Sequence, residues 1–139
     1  MRAYLAGPMS GIPKFNFPEF YEAAAIMRMH GWDIVSPAEM DAEIGIADTA
    51  LASTDGDNTK LAQSWGDLLA RDVKLIADGG IEAIIFLPGW ERSKGARLEA
   101  TVGLLKGYDF RFFQYDKTKQ LAIELRRAKV VFIIMGTFL

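Results

Sequence analysis

The sequence predicts a single α/β domain over residues 1–139, built on a five-stranded parallel sheet of order 2-1-3-4-5 with helices on both faces. Two observations predict it. Short apolar runs alternate with helix-period segments down the whole chain, the pattern of repeated strand–helix–strand units joined by right-handed crossovers. The run at 81–86 (Ile-Glu-Ala-Ile-Ile-Phe) also leads through Pro88, Gly89, Trp90 and Ser93 straight into a periodic segment ending at Lys106, so a strand, a turn and a helix start follow one another. This is a small Rossmann-like or flavodoxin-like domain. In that strand order, ligands gather at the carboxyl ends of strands one and three. Those ends carry the 7–11 loop and the 93–99 segment, which topology alone brings together.

Residues 3–6 read as the first strand and Gly7-Pro8-Met9-Ser10-Gly11 as the tight loop leaving it. Pro18 suits a helix start, Glu19 and Glu22 complement its dipole, and the helix runs to about His30 before Gly31. Residues 33–36 form a second strand stopped by Pro37. The stretch 42–63, with Asp55-Gly56-Asp57-Asn58, has the composition of a long connection and is read as a mobile lid, plain mobility being the other reading. Ser64 caps a helix through Trp65, Leu68, Leu69, Val73, Leu75 and Ile76, with Asp72 inside it and Gly79-Gly80 after it. Ser93 caps the next helix, Gly107 closes it, and 110–113 is a strand. Residues 119–129 are expected to be the last helix and the apolar run 130–135 the fifth strand.

Composition narrows the function. Half of the residues are apolar and the formal charge is −2, so no basic excess points to nucleic acid or to a membrane surface, and any positive patch is local. There is no cysteine and a single histidine, which excludes a disulfide scaffold and a thiolate metal site; no cofactor or metal is expected. The N-terminus lacks the apolar length of a signal peptide, so a cytoplasmic protein is expected. Walker, dinucleotide-fingerprint and zinc-protease motifs are all missing. His30, at a helix end, reads as solvated or dipole-compensating.

A nucleophile must then be a carboxylate or a hydroxyl. Glu99 stands one helical turn beyond a helix start at which Arg92, Lys94 and Arg97 reinforce the anion-attracting N–H groups, in a helix lined by Ala96, Ala100 and Gly103. A carboxylate beside an anion seat suits chemistry at an anomeric carbon, where the transition state resembles an oxocarbenium ion. Each residue also has a plainer reading: Glu99 and Asp72 as surface charges, Tyr4 as strand core, Ser93 as a cap only, Trp90 as a plug at the strand end rather than a stacking platform.

Tyr4-Leu5-Ala6-Gly7-Pro8-Met9-Ser10-Gly11, Asp72 within a helix, and Ser93-x-Gly95-x-x-x-Glu99 followed by Gly103 resemble the nucleoside 2-deoxyribosyltransferase superfamily. The likeness runs from Tyr4 to about Gly107 and, more narrowly, the chain looks like a branch found in bacteria and their phages. The resemblance implies that Glu99 is the nucleophile that forms a covalent glycosyl intermediate, that Asp72 assists departure of the base, and that Tyr4 lies beside the nucleophile. Gly7, Met9, Ser10, Gly11, Trp90, Arg92, Ser93 and Gly95 would then bind substrate. Ser93 stands where base-exchanging members carry an acidic residue and monophosphate hydrolases carry serine, so an N-glycosidase of (deoxy)nucleoside 5'-monophosphates is expected. Pro8 and Ser10 depart from the phosphate ligands of those hydrolases. A deoxyribosyltransferase and a noncatalytic nucleotide sensor are the alternatives, and a homodimer or higher homo-oligomer is expected.

Overall fold

The computed structural model describes residues 1–114, 122–124 and 126–136. Strand β1 (Arg2–Ala6) lies between β2 (Asp33–Val35) and β3 (Ala83–Phe86), and β4 (Asp109–Phe113) lies beyond β3, all four parallel in the order β2-β1-β3-β4. The helices are α1 (Phe17–Met29), α2 (Pro37–Glu43), α3 (Ala47–Ala52), α4 (Trp65–Asp78), α5 (Lys94–Lys106) and α6 (Arg127–Gly136).

Alternation along β1 divides the core. Ala3 and Leu5 face Phe17, Phe20, Ala24 and Met27 of α1, with Ala38 and Ala50 beyond them. Tyr4 and Ala6 face the opposite layer, with Ile76 of α4, Ala96 and Ala100 of α5, and Val130 and Ile134 of α6. The two serine caps form as the sequence predicts, Ser64 Oγ accepting from Asp67 N at 3.1 Å and Ser93 Oγ from Ala96 N at 3.2 Å. Gly107 ends α5 in the left-handed region at φ 75°.

The last part of the chain corrects the sequence reading. The sheet is not parallel throughout: a short strand β5 (Ala122–Glu124) pairs antiparallel with β4, Phe112 opposite Ile123. The run 130–135, expected to be a fifth parallel strand, lies in α6. A short apolar run has no periodicity that separates a buried strand from a buried helix. Here the pattern is helical, because Val130 and Ile134 are buried four apart while Phe132 and Met135 are exposed. The helix expected at 119–129 is overturned at 122–124, which are strand, and met only at 127–129, the first turn of α6; its other residues before 126 lie outside the described residues. Among the described residues no helix is long and apolar enough to cross a membrane.

The stretch 42–63 holds α3 and a 3₁₀ turn at Asn58–Lys60, and it is fastened to the loop after β1. Gly11 N donates to Gly56 O at 2.9 Å and Lys14 N to Ser53 O at 2.8 Å. A Cβ at Gly56 would sit 2.4 Å from Ile12 O, so only glycine lets the two backbones meet. Between that loop and α1, Lys14, Phe15 and Asn16 make a left-handed turn, with φ of 58°, 52° and 59°. Each such residue costs roughly 1 kcal/mol, and the turn drives Phe15 inward while Asn16 Nδ2 holds Pro8 O at 3.0 Å.

Candidate active site

A cavity of about 440 Å³ opens at the carboxyl ends of β1 and β3. Its walls come from β1 and its loop, from α2, from the 3₁₀ turn at Asn58–Lys60, from α4, and from the start of α5.

Carboxylates are buried at one end. Tyr4, completely buried, donates its hydroxyl to Glu99 Oε2 at 2.5 Å, joining residues 95 apart in sequence. Glu99 is 5 % exposed, and burial pushes its carboxyl well above the usual range, with the charge of Asp72 pushing the same way. The Tyr4 phenol is raised too, by burial first and then by Glu99. Asp72, 8 % exposed, is pushed up to about 6 by burial, against the lowering influence of Arg71. Arg71 donates Nε (2.9 Å) and Nη2 (2.7 Å) to Asp72 Oδ1, and the same Nη2 reaches Asp41 Oδ1 at 2.7 Å. Asp41, on α2, is itself raised by burial.

The other end is the start of α5. Ser93 takes the Ala96 N–H with its hydroxyl, while the N–H groups of Lys94 and Gly95, the first of the helix, have no acceptor within it. Arg92 and Lys94 are exposed, line the cavity, and have no ion-pair partner among the described residues. Positive charge, free N–H groups and the helix dipole therefore favour an anion here. Arg97 turns away, donating Nη1 to Glu91 O at 3.1 Å.

Of the residues predicted from sequence, Tyr4, Gly7, Met9, Ser10, Asp72, Arg92, Ser93, Gly95 and Glu99 all line this one cavity. Gly7 is packed so closely that a Cβ would lie 2.9 Å from Leu87 Cβ. Ser10 accepts from Asn58 Nδ2 at 3.1 Å. Two residues stand elsewhere. Gly11 is spent on the bond to Gly56, and Trp90 is buried over Phe86 with ring centroids 4.1 Å apart, as a plug at the end of β3. The sequence reading missed Asp41, Arg71 and Phe15. Ser36-Pro37 followed by Glu39 is a helix-start signal that would have placed Asp41 on α2.

The fold and cavity define an α/β protein with a buried carboxylate cluster at the switch point of its sheet. The chain belongs to the family described as domain of unknown function DUF4406, whose profile matches residues 1–109 and so takes in every residue lining the cavity. No curated protein and no solved structure matches it.

Proposed function

We propose that this protein is an N-glycosidase that cleaves the bond between sugar and base in a (deoxy)nucleoside 5'-monophosphate, as its likeness to the nucleoside 2-deoxyribosyltransferases implies. The observation that carries this reading is the Tyr4–Glu99 hydrogen bond inside a cavity whose other end is an unpaired basic helix start. Reacting as its anion, with Oε2 held by the Tyr4 hydroxyl, Glu99 presents its other oxygen to C1' of the sugar. As the C1'–N bond breaks, its electron pair goes to the base, and a proton from Asp72 neutralises the departing nitrogen. A Glu99–C1' ester forms, and water attacks C1', giving a proton to the Asp72 carboxylate, as the C1'–O bond to Glu99 breaks to release the sugar phosphate and regenerate the carboxylate. An acid with a pKa near 6 is well matched to giving and recovering a proton close to neutrality. Burial that disfavours the Glu99 anion in the free site also strengthens its attraction to positive charge developing at C1'. The 5'-phosphate sits at the start of α5, against Arg92, Lys94 and the free N–H groups.

The test is incubation with each deoxynucleoside 5'-monophosphate and its unphosphorylated nucleoside, following free base by chromatography, with Glu99→Ala as control. The expected result is release from monophosphates, lost in the variant. Base exchange between nucleosides exceeding hydrolysis would instead make the protein a transferase, and no Glu99-dependent cleavage would leave a nucleotide-binding module. The same reading expects more than one copy per particle, checked by light scattering of the purified chain.

A further inference from the structure

Asp72 is held from behind, and neither the reaction proposed above nor the resemblance accounts for how. Arg71 and Asp72 are adjacent on α4, and neighbours on a helix do not normally face each other. Here the guanidinium folds back so that Nε and Nη2 both grip Oδ1 of Asp72, which leaves Oδ2 outside the clamp. Asp41 comes from α2, 30 residues away, and takes the same Nη2 through its Oδ1. The arrangement satisfies the two carboxylates at the expense of the guanidinium, whose Nη1 is buried without a hydrogen-bond partner. A buried donor left unpaired is costly, so this fork is oriented by the carboxylates and not by its own satisfaction.

We propose that Asp41 and Arg71 are positioning residues for Asp72: Asp41 anchors the guanidinium from α2, and the guanidinium fixes Oδ1 so that Oδ2 is the oxygen offered to the cavity. The inference rests on the glycosidase reading for what Asp72 does, but not for how Asp72 is held. A lone carboxylate on a helix rotates about two side-chain torsions, whereas one clamped between a guanidinium and a second element keeps its orientation while a ligand comes and goes. The clamp also sets the charge balance. The groups facing Asp72 are Tyr4 from β1, Glu99 from α5, Asp41 from α2 and Arg71 beside it. Arg71, and after it the Tyr4 hydroxyl, favour the Asp72 anion and Asp41 opposes it, so removing Arg71 or Asp41 moves the Asp72 titration in opposite directions.

The experiment titrates the Asp72 carboxyl by ¹³C NMR in the free protein, in wild type, Arg71→Met, Arg71→Lys and Asp41→Asn. The expected result is an upward shift in Arg71→Met, a downward shift in Asp41→Asn, and an intermediate position in Arg71→Lys, which keeps the charge without the fork. An Asp72 titration unmoved in folded Asp41→Asn and Arg71→Lys proteins overturns the proposal, even if Arg71→Met fails to fold. Kinetics supply the second arm. Arg71→Met should lower kcat by about 10²-fold with KM little changed, and should add almost nothing in an Asp72→Asn background. Equal proportional losses in both backgrounds would show that Arg71 acts only on the fold and would overturn the positioning role. A protein that turns over no nucleotide refutes the glycosidase, while the titration still decides the clamp.

Discussion

The two ends of the cavity are built on opposite principles. At the Glu99 end, Tyr4, Asp72 and Glu99 are buried, bonded to one another or to Arg71, and burial raises the carboxyls of Asp72 and Glu99 above their range in water. At the Ser93 end, Arg92 and Lys94 are exposed and unpaired among the described residues, and the attraction comes from helix N–H groups that exist in any helix. The difference teaches where stability is given up. Removing ionisable groups from water destabilises the fold, a cost the proposed reactive role would account for; solvated cations at a helix start cost almost nothing.

The largest effect should come from the buried end. Glu99→Ala is expected to lower turnover of monophosphate by about 10⁴-fold or more while nucleotide binding by calorimetry survives, because the binding end is intact. Comparable turnover in wild type and variant would break the contrast at once.

Asp72 comes next, and its effect is on stability. Its pKa is raised from 3.8 in the unfolded chain to about 6 in the fold, so between those values the native state holds the extra proton and stability falls as pH rises. Relative to Asp72→Asn, wild type should therefore lose up to about 3 kcal/mol between pH 4 and 7, read by urea unfolding at each pH. A constant difference across that range would mean that Asp72 is not desolvated.

At the anion end, Ser93→Asp keeps a helix-capping side chain but places a negative charge where the proposed phosphate would sit. The ratio of kcat/KM for monophosphate over nucleoside should fall by roughly 30-fold, with stability changed by less than about 0.5 kcal/mol. The smallest effect is expected from Arg92→Ala with Lys94→Ala, about a tenfold rise in KM for monophosphate that shrinks as salt is added. A loss of stability in that double variant would show that the two ends are less distinct than their burial implies.

The sequence was most legible where one residue type performs one local task. Ser64 and Ser93 cap, Gly107 ends α5, and the strand order carries Gly7 and Ser93 to the same sheet edge. It was least legible where the outcome depends on partners far away in the chain. Nothing near Asp41 announces a guanidinium 30 residues on, and the adjacency of Arg71 and Asp72 argues against their bond. Trp90 is suited equally to a ligand and to the ring of Phe86, and only packing decided for Phe86. In the run 130–135, a continuous apolar composition erased the period that distinguishes helix from strand.

One absent side chain sits behind the site. Gly103 lies four residues beyond Glu99 on α5, and a Cβ there would fall 2.5 Å from Ile84 Cδ1 and 3.0 Å from Phe110 Cε1. Positions four apart share a helix face, so the face that carries the carboxylate is seated on the sheet by a glycine. Ser93 is the cap of the same helix, six residues before Glu99, and the rise of a helix puts roughly 9 Å between them along its axis. The helix is therefore a rigid gauge with an anion mark at one graduation and a carboxylate at the other. Position 103 sets the depth at which that gauge rests, so the site can be detuned as a whole from a position outside the cavity lining.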